Sequence, residues 1–339
     1  MSKKETGFPT RPPRRIVLHG RDAVYHVVAR SAGQAFLFGE AEKEMFRAQM
    51  LATALFCGVE VLTFCLLDNH VHLLVRVPAE KPELTDKQLL DRCAGLYGGK
   101  DHSRHALTLD SIRDALAEGG AARERMRGML IGRMCDLSMF AKLLKQRFSI
   151  WYNRTHGRQG TLWSGRFTSV LVEGKGLPLA IVAAYIDLNA VRAGIVNDPA
   201  QYRWCGFAEA SLGVKSAVAG LHGISGGGSP AEGLSRYAAL LYHRGAAPGR
   251  GKPPDARVPP EIVRKVRERY GTLEPFANLR RRLRHATRGG IVGSTEFIES
   301  WFSENQKRFG KRRSGARRIR GGNFGGLRSF RDVRPDESQ

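Results

Sequence analysis

The sequence has few of the features that mark secreted or membrane proteins. It contains five cysteines, an odd number, and none of them forms a CxxC pair, which argues against a disulfide framework and against a cysteine-based zinc site. No apolar run approaches the roughly 20 residues that a membrane-spanning helix needs. The N-terminal segment MSKKETGFPTRPPRR is basic and proline-rich, and no apolar signal region follows it. We therefore expect a soluble, cytoplasmic protein without a membrane partner.

Acidic residues are scarce relative to basic ones. The chain has 55 Lys and Arg against 32 Asp and Glu, which gives a formal net charge of +23. The excess is uneven, because residues 250–334 carry 23 Lys or Arg against 8 Asp or Glu. Uneven positive charge of this size typically indicates a polyanionic partner, most often nucleic acid. We therefore expect the chain to bind nucleic acid.

The first elements of the chain indicate its fold class. Residues 23–31 (AVYHVVARS) are β-branched and aromatic, as in a strand, and residues 41–58 have helical apolar spacing that ends at a glycine. Two further strands are predicted at 59–69 and 70–78, joined by the turn-prone Asp68-Asn69 pair. This order predicts an α+β fold, in which helices pack on one antiparallel sheet.

The rest of the chain contains further predicted elements, and the whole chain divides by composition. The pattern predicts a basic amphipathic helix at 136–157, a strand at 160–174 and a helix at 177–196. We divide the 339 residues into a flexible basic arm at 1–15, a core domain at 16–215 with a helical insertion at about 79–136, a linker-rich region at 216–260, and a basic, helical and partly disordered C-terminal extension at 261–339.

Two histidines stand two residues apart in the apolar strand LLDNHVHLLVRVP. Residues i and i+2 of a strand face the same side, so His70 and His72 lie side by side while Val71 faces the other way. Two neutral imidazoles on a rigid strand can bind a divalent metal. A pair of polar residues satisfied by neighbours would give the same pattern, so a metal site and a structural pair are both open here.

The helix predicted at 177–196 offers a third ligand and a reactive group. Tyr185 and Asn189 are four residues apart and would share a helix face. The Asn189 amide oxygen is a hard ligand that suits Mg²⁺ or Mn²⁺ beside the two histidines. Such a metal could act as a Lewis acid on a phosphodiester, and Tyr185 could attack the phosphorus to form a covalent phosphotyrosine. The alternative is an ordinary amphipathic helix with a solvated polar face.

Three segments together carry a resemblance to a known family. HVH, GTLWSGRFTS and YIDLNAVRAG resemble the single-tyrosine HUH transposases, where U is hydrophobic, and most closely their REP-associated tyrosine transposase branch. The similarity spans about residues 15–210 and implies a ferredoxin-like HUH nuclease core. It implies that Tyr185 is the nucleophile and that Asn189, which takes the place of a glutamine in related insertion-sequence transposases, joins the two histidines as a metal ligand.

The resemblance also implies a substrate. The family cleaves single-stranded DNA near short imperfect (REP-like) hairpins and forms a 5′-phosphotyrosine link, which would place the protein at the nucleoid. The chain departs from the family at Ala190, where proline is usual, and in the segments 79–136 and beyond about 215, whose roles do not carry over. The family includes monomers and homodimers, and both states stay open for this chain.

Basic and aromatic residues before the predicted active-site helix are candidates for DNA contacts. Arg166, in SGRF, is the strongest candidate for a phosphate contact near the site. Lys145, Arg147 and Arg158 would bind further phosphates, and Trp163 would stack on unpaired bases. For each of them a solvated helix face or a core tryptophan is the alternative.

Other assignments compete with this interpretation. Tyr152, in SIWYNRTHG, is a rival nucleophile, although the resemblance favours Tyr185. A catalytically inactive nucleic-acid-binding module on the same fold is a second possible function. An HUH replication initiator is a third, but YIDLNAVRAG has a single tyrosine and the chain has no helicase-type P-loop.

Overall fold

A computed structural model describes residues 16, 18, 20–98, 107–245, 264, 290–306, 317–318 and 328–330. The predicted basic arm at 1–15 and most of the C-terminal extension lie outside these residues. The strands are β1 (Ala23–Arg30), β2 (Glu60–Leu66), β3 (His70–Val77), β4 (Thr168–Val172), β5 (Ile291–Gly293), β6 (Arg317–Arg318) and β7 (Arg328–Phe330). The helices are α1 (Glu40–Cys57), α2 (Asp86–Tyr97), α3 (Leu109–Glu118), α4 (Gly120–Gly132), α5 (Leu137–Thr155), α6 (Gly176–Asp187), α7 (Asn189–Arg192), α8 (Gly206–Ser211), α9 (Lys215–Ser225), α10 (Pro230–Gly245) and α11 (Thr295–Glu304).

The sheet has the order β2-β3-β1-β4-β5-β7-β6. Neighbouring strands among the first four are antiparallel, with α1 between β1 and β2 and α5 between β3 and β4 in the chain. That order and connection pattern is the ferredoxin-like arrangement, which confirms the predicted α+β class. Strand β5 then joins β4 in parallel. Among the described residues, no helix is long and apolar enough to cross a membrane.

The two faces of the sheet hold separate cores. Val71 and Leu73 of β3 belong to the core that also contains Phe46 of α1 and Phe148 of α5. Leu74 points the other way and belongs to the core that contains Ile181 of α6. Because side chains alternate along a strand, the even-numbered residues of β3, including both histidines, face α6. Both faces are covered, which explains why β3 reads as a nearly continuous apolar run.

Helix boundaries follow local signals that are visible in the sequence. Gly58 ends α1 in the left-handed conformation, with φ at 63°, as its position after the apolar helix predicts. The three helices α2, α3 and α4 occupy the segment 79–136, and α2 begins with a capping box between Thr85 and Gln88. Residues 99–106 of this segment lie outside the described part of the chain.

Two predicted elements are shorter in the structure. The strand predicted at 160–174 forms only over β4, because Gly160 and Gly165 take positive φ values of 89° and 157° that break the extended run. The helix predicted at 177–196 ends at Asp187 and resumes as the four-residue α7. The Asn189 side chain donates to the carbonyl oxygens of Tyr185 and Ile186, at 3.0 and 3.1 Å, and so competes with the backbone of the helix.

The region predicted to be linker-rich contains two helices, α9 and α10, and its residues 246–260 lie outside the described part. Helix α9 packs directly on β2, where a Cβ on Gly220 would lie 2.5 Å from the Leu62 carbonyl oxygen. Tyr237 and Leu241 of α10 are fully buried in the same core. This region is predicted to be linker-rich because of its glycines. In the structure Gly220 instead permits a helix to pack closely against a strand.

Candidate functional site

Three histidines meet on the face of the sheet that α6 covers. His70 and His72 come from β3, and their ring centroids are 5.0 Å apart. The third, His26, comes from β1, where it pairs with Leu74 and therefore lies diagonally from His72. His26 Nε2 is 2.8 Å from His72 Nδ1, and the two rings are stacked with centroids 5.1 Å apart. The predicted pair is brought together, and sequence reasoning misses His26 because strand register cannot be read from the pattern alone.

Burial keeps two of these imidazoles neutral. Burial, with a contribution from the positive charge of Arg30, lowers the pKa of His26 to about 3. Burial also holds the pKa of His72 well below its ordinary value, helped by the neighbouring imidazoles and by the charges of Arg30 and Arg192. Both rings are therefore uncharged at neutral pH, which is the form in which an imidazole can bind a metal.

The orientation of His70 is set by its neighbour in the chain. His70 Nδ1 lies 2.6 Å from Asn69 Oδ1, while Asn69 Nδ2 donates to the Gln34 carbonyl oxygen at 3.2 Å. Since the amide oxygen can only accept, the Nδ1 of His70 carries a proton, and in the neutral ring the lone pair is then on Nε2. The Asn69 side chain thus fixes His70 and also anchors the loop after β1.

Helix α6 brings Tyr185 to the histidines. The half-buried Tyr185 ring meets the rings of His26 and His72 edge-on, with centroids 6.0 Å away in both cases. The Arg192 guanidinium lies 4.8 Å from the centroid of the Tyr185 ring, and its Nη1 donates to the Tyr185 carbonyl oxygen at 3.0 Å. A phenol, two neutral imidazoles and a guanidinium are therefore close together.

Asn189 adjoins this group through the backbone of Tyr185. Its Nδ2 donates to the Tyr185 and Ile186 carbonyl oxygens, as described above, which leaves Oδ1 as the atom able to coordinate a cation. Tyr185 and Asn189 were expected on one continuous helix, and they lie instead on either side of the break at Leu188. Both side chains are half-buried, whereas Ile186 and Leu188 are buried.

The donor atoms that could hold a metal are limited. Within the described ranges, no group of three or more His, Cys, Asp or Glu side chains could hold a metal ion. The predicted set consists of two imidazoles and one amide oxygen, with both imidazole Nδ1 atoms engaged by His26 and Asn69. Ligation would therefore use Nε2 of His70 and of His72. A mixed nitrogen and oxygen set of this kind fits Mn²⁺ better than Mg²⁺, which prefers oxygen alone.

The structure does not support base stacking by Trp163. Its side chain is 6% exposed and packs among the rings of Phe38, Phe46 and Phe148. Its Nε1 donates to Ser149 Oγ at 2.9 Å. This tryptophan belongs to the core on the α1 and α5 face, so the stacking role predicted for it is wrong. The core tryptophan that the sequence leaves open as the alternative is the role found in the structure.

Three of the four basic residues predicted to contact phosphates are half-buried. Lys145 Nζ donates to the Gly165 carbonyl oxygen at 2.6 Å, and burial lowers the Lys145 pKa to about 8. The Arg147 guanidinium lies 5.9 Å from the Tyr97 ring centroid, and burial lowers the Arg147 pKa. Arg158 is half-buried, and its Nη1 is a buried nitrogen without a hydrogen-bond partner among the described residues.

Arg166 differs from these three because it is exposed. Its loop is placed by Ser164, whose backbone N–H donates to the Arg30 carbonyl oxygen at 2.9 Å. Arg30 in turn pairs with His70 in the sheet. Arg166 therefore lies in a loop at the same end of the sheet as the histidines, where a bound phosphate could reach it.

The rival tyrosine lies on the other side of the sheet. Tyr152 is 6% exposed, belongs to the core of α1 and α5, and stacks on His156 with ring centroids 4.2 Å apart. Burial raises the pKa of its hydroxyl. Tyr152 is thus separated from His70 and His72 by the sheet itself, whereas Tyr185 adjoins them.

A buried carboxyl group fixes the end of α6 and was not anticipated from the sequence. Asp187 is fully buried and accepts hydrogen bonds from Thr63 Oγ1 at 2.8 Å, the Phe207 backbone N–H at 3.2 Å, and the Tyr237 hydroxyl. Burial raises its pKa to about 7 against the lowering effect of these donors. An acid inside an otherwise apolar helix is the signal that could have indicated it.

Comparisons with known proteins add little to this geometry. No family model matches the chain, and no curated protein matches it. Among solved structures, the chain is similar to a REP-associated tyrosine transposase bound to a REP hairpin, at 14% identity and a TM-score of 0.37. The match covers 60% of this chain and 88% of that one. A likeness at this level shows neither the family nor the activity of the chain.

Proposed function

We propose that the chain is a metal-dependent DNA transposase or strand transferase that nicks single-stranded hairpin DNA through a 5′-phosphotyrosine at Tyr185. One observation carries the proposal. The Tyr185 ring lies edge-on to the neutral, buried His72, at a centroid distance of 6.0 Å, with His70 as the next ring. This arrangement supports the proposal, because a tyrosine, whose hydroxyl could act as a nucleophile, adjoins two imidazoles that could hold a cation.

In the proposed reaction, Tyr185 Oη attacks the phosphorus of a phosphodiester and loses its proton to solvent. The bond from phosphorus to the 3′ oxygen breaks, and that oxygen takes up a proton as it leaves. The strand end stays attached to the protein as a phosphotyrosine ester, so the bond energy is retained and rejoining needs no ATP. A divalent metal held by His70, His72 and Asn189 would supply Lewis-acid polarisation of the phosphate.

Two arginines would assist the substrate and the nucleophile. The Arg192 guanidinium, 4.8 Å from the Tyr185 ring centroid, brings positive charge to the side where negative charge develops as the hydroxyl loses its proton. The exposed Arg166 would bind a flanking phosphate. The net charge of +23 would add affinity for DNA that does not depend on sequence. Action on chromosomal DNA would place the protein in the cytoplasm at the nucleoid.

The choice of hairpin DNA is supported by the resemblance of HVH, GTLWSGRFTS and YIDLNAVRAG to the REP-associated branch. The test uses a labelled hairpin oligonucleotide with single-stranded flanks, taken from palindromes beside the gene, and MnCl₂. We expect a covalent adduct on a denaturing gel that Tyr185→Phe abolishes while hairpin binding persists. Tyr152→Phe is the matched control and should keep the adduct. An adduct that survives Tyr185→Phe and disappears with Tyr152→Phe would overturn the proposal.

A catalytically inactive nucleic-acid-binding module is the second candidate. It is favoured by the finding that no group of three or more His, Cys, Asp or Glu side chains within the described ranges could hold a metal ion. Such a module would bind the same hairpin with the same salt dependence but would not nick it in MnCl₂. Nicking that depends on Mn²⁺ and on Tyr185 separates the two functions.

A further inference from the structure

The contact between His26 and His72 restricts both rings. Two ring nitrogens 2.8 Å apart, His26 Nε2 and His72 Nδ1, are at hydrogen-bonding distance and must have one proton between them. Two lone pairs would repel each other, and two protons would clash. Each neutral imidazole carries a single ring proton. The tautomer of one ring therefore determines the tautomer of the other.

Only two arrangements satisfy this contact. In the first, His72 Nδ1–H donates to His26 Nε2, and the lone pair of His72 is on its Nε2. In the second, His26 Nε2–H donates to His72 Nδ1, and His72 carries its proton on Nε2, where it cannot bind a metal. The far nitrogen of His26, Nδ1, is buried without a partner among the described residues in both cases, so it does not discriminate between them.

The proposed metal site requires the first arrangement. Only there is the Nε2 lone pair of His72 free to bind a metal, because the Nδ1 atom is occupied by the contact with His26. The other histidine shows the same pattern, since Asn69 holds the Nδ1 proton of His70.

We propose that His26 is a positioning residue that accepts the Nδ1 proton of His72 and so keeps the Nε2 lone pair of His72 directed at the metal. The inference rests on the proposed function, because it takes His72 as a metal ligand. Metal-binding histidines usually donate their second ring N–H to a carboxylate, a carbonyl or water, and here an imidazole on the adjacent strand takes that place. The pairing of β1 with β3, which brings His26 to His72, would then determine which nitrogen of His72 can bind the metal.

The first test reads the tautomers directly. The full-length protein is labelled with ¹⁵N at histidine, freed of metal with a chelator, and examined by long-range ¹H–¹⁵N correlation spectra near neutral pH. His26→Gln and His72→Gln assign the resonances. We expect the proton on Nδ1 of both His72 and His26, with both Nε2 atoms unprotonated. A proton on His72 Nε2, or a mixture of the two tautomers, contradicts the inference.

The second test measures binding of Mn²⁺ alone, by electron paramagnetic resonance of the free ion. His26→Phe keeps a ring of similar size but removes the acceptor, and should weaken Mn²⁺ binding about 10- to 100-fold. His26→Gln keeps an acceptor and should retain most of the wild-type affinity. Unchanged affinity in His26→Phe, together with lost binding in His72→Ala, rejects the role of His26 and leaves the proposed metal site standing. Unchanged affinity in His72→Ala rejects the metal site itself, and with it the proposed function. If His26→Phe does not fold, the spectra of the wild-type protein decide.

Discussion

Replacing Asp187 with asparagine should make the protein less sensitive to pH. The wild-type carboxyl group has a pKa of about 7 in the folded protein, against 3.8 as its ordinary value. Between these values the folded state keeps a proton that the unfolded state has lost, so the free energy of unfolding falls as pH rises from about 4 to about 7. Above pH 7 both states are ionised, and the effect of this group no longer changes.

The size of the effect follows from the same two values. A difference of about 3 pKa units corresponds to on the order of 4 kcal/mol, which is an upper bound for a fully buried group. Asp187→Asn should therefore resemble the wild type in stability near pH 4 and exceed it at pH 8. The new amide oxygen can still accept from Thr63 and from the Phe207 N–H, and the amide nitrogen can donate to the Tyr237 oxygen.

Urea unfolding followed by tryptophan fluorescence at pH 5 and pH 8 measures this difference for both proteins. Comparing variant with wild type at each pH removes the contribution of groups that titrate in both. Asp198→Asn is the matched control, because Asp198 also accepts from a tyrosine hydroxyl, that of Tyr242 at 2.6 Å, but is only half-buried. A stability difference between Asp187→Asn and wild type that is the same at both pH values would refute the reasoning.

Two further variants test the packing of α9 on β2 and the proposed phosphate contact of Arg166. Gly220→Ala should destabilise the fold by about 1–3 kcal/mol in urea unfolding, because the new Cβ would lie 2.5 Å from a carbonyl oxygen of β2. Gly223→Ala is the control and should be tolerated, because its Cβ would meet its nearest atom at 3.9 Å. Arg166→Ala should weaken hairpin binding and reduce the slope of log affinity against log salt by about 1, while Arg236→Ala on α10 leaves that slope unchanged. Equal destabilisation by the two glycine variants would contradict the close packing of α9 on β2. Equal salt slopes for the two arginine variants would contradict the proposed phosphate contact of Arg166.

The sequence predicts the elements around the histidines well because several independent signals agree there. Apolar alternation, the turn at Asp68-Asn69 and the glycine after α1 all point to strand, helix, strand and strand, and the structure has that order. Prediction fails where a short-range pattern has two explanations. Glycines near 160–165 break a strand, while Gly220 permits a helix to lie against β2, and composition does not distinguish the two uses.

The candidate site is predicted only in part, for a different reason. Residues two apart on a strand share a face whatever the tertiary structure, so His70 and His72 can be singled out from spacing. The spacing of Tyr185 and Asn189 also singles them out, although the helix breaks between them. His26 joins them through the pairing of β1 with β3 and through the burial of that face by α6. Neither the register nor the burial is a local property of the chain, and the same limit conceals the core position of Trp163.

The buried imidazoles also bear on the choice between a structural histidine pair and a functional one. A structural pair accounts for the bond of 2.8 Å between His26 and His72. It does not account for His26 Nδ1, which is buried without a partner among the described residues, because such an atom costs about 1–3 kcal/mol that an apolar side chain would avoid. Tyr185 and the Arg192 guanidinium also lie beside the pair, and a purely structural histidine pair requires neither of them. The proposed site for a metal and a phosphate would explain the buried polar atoms and the nearby positive charge together.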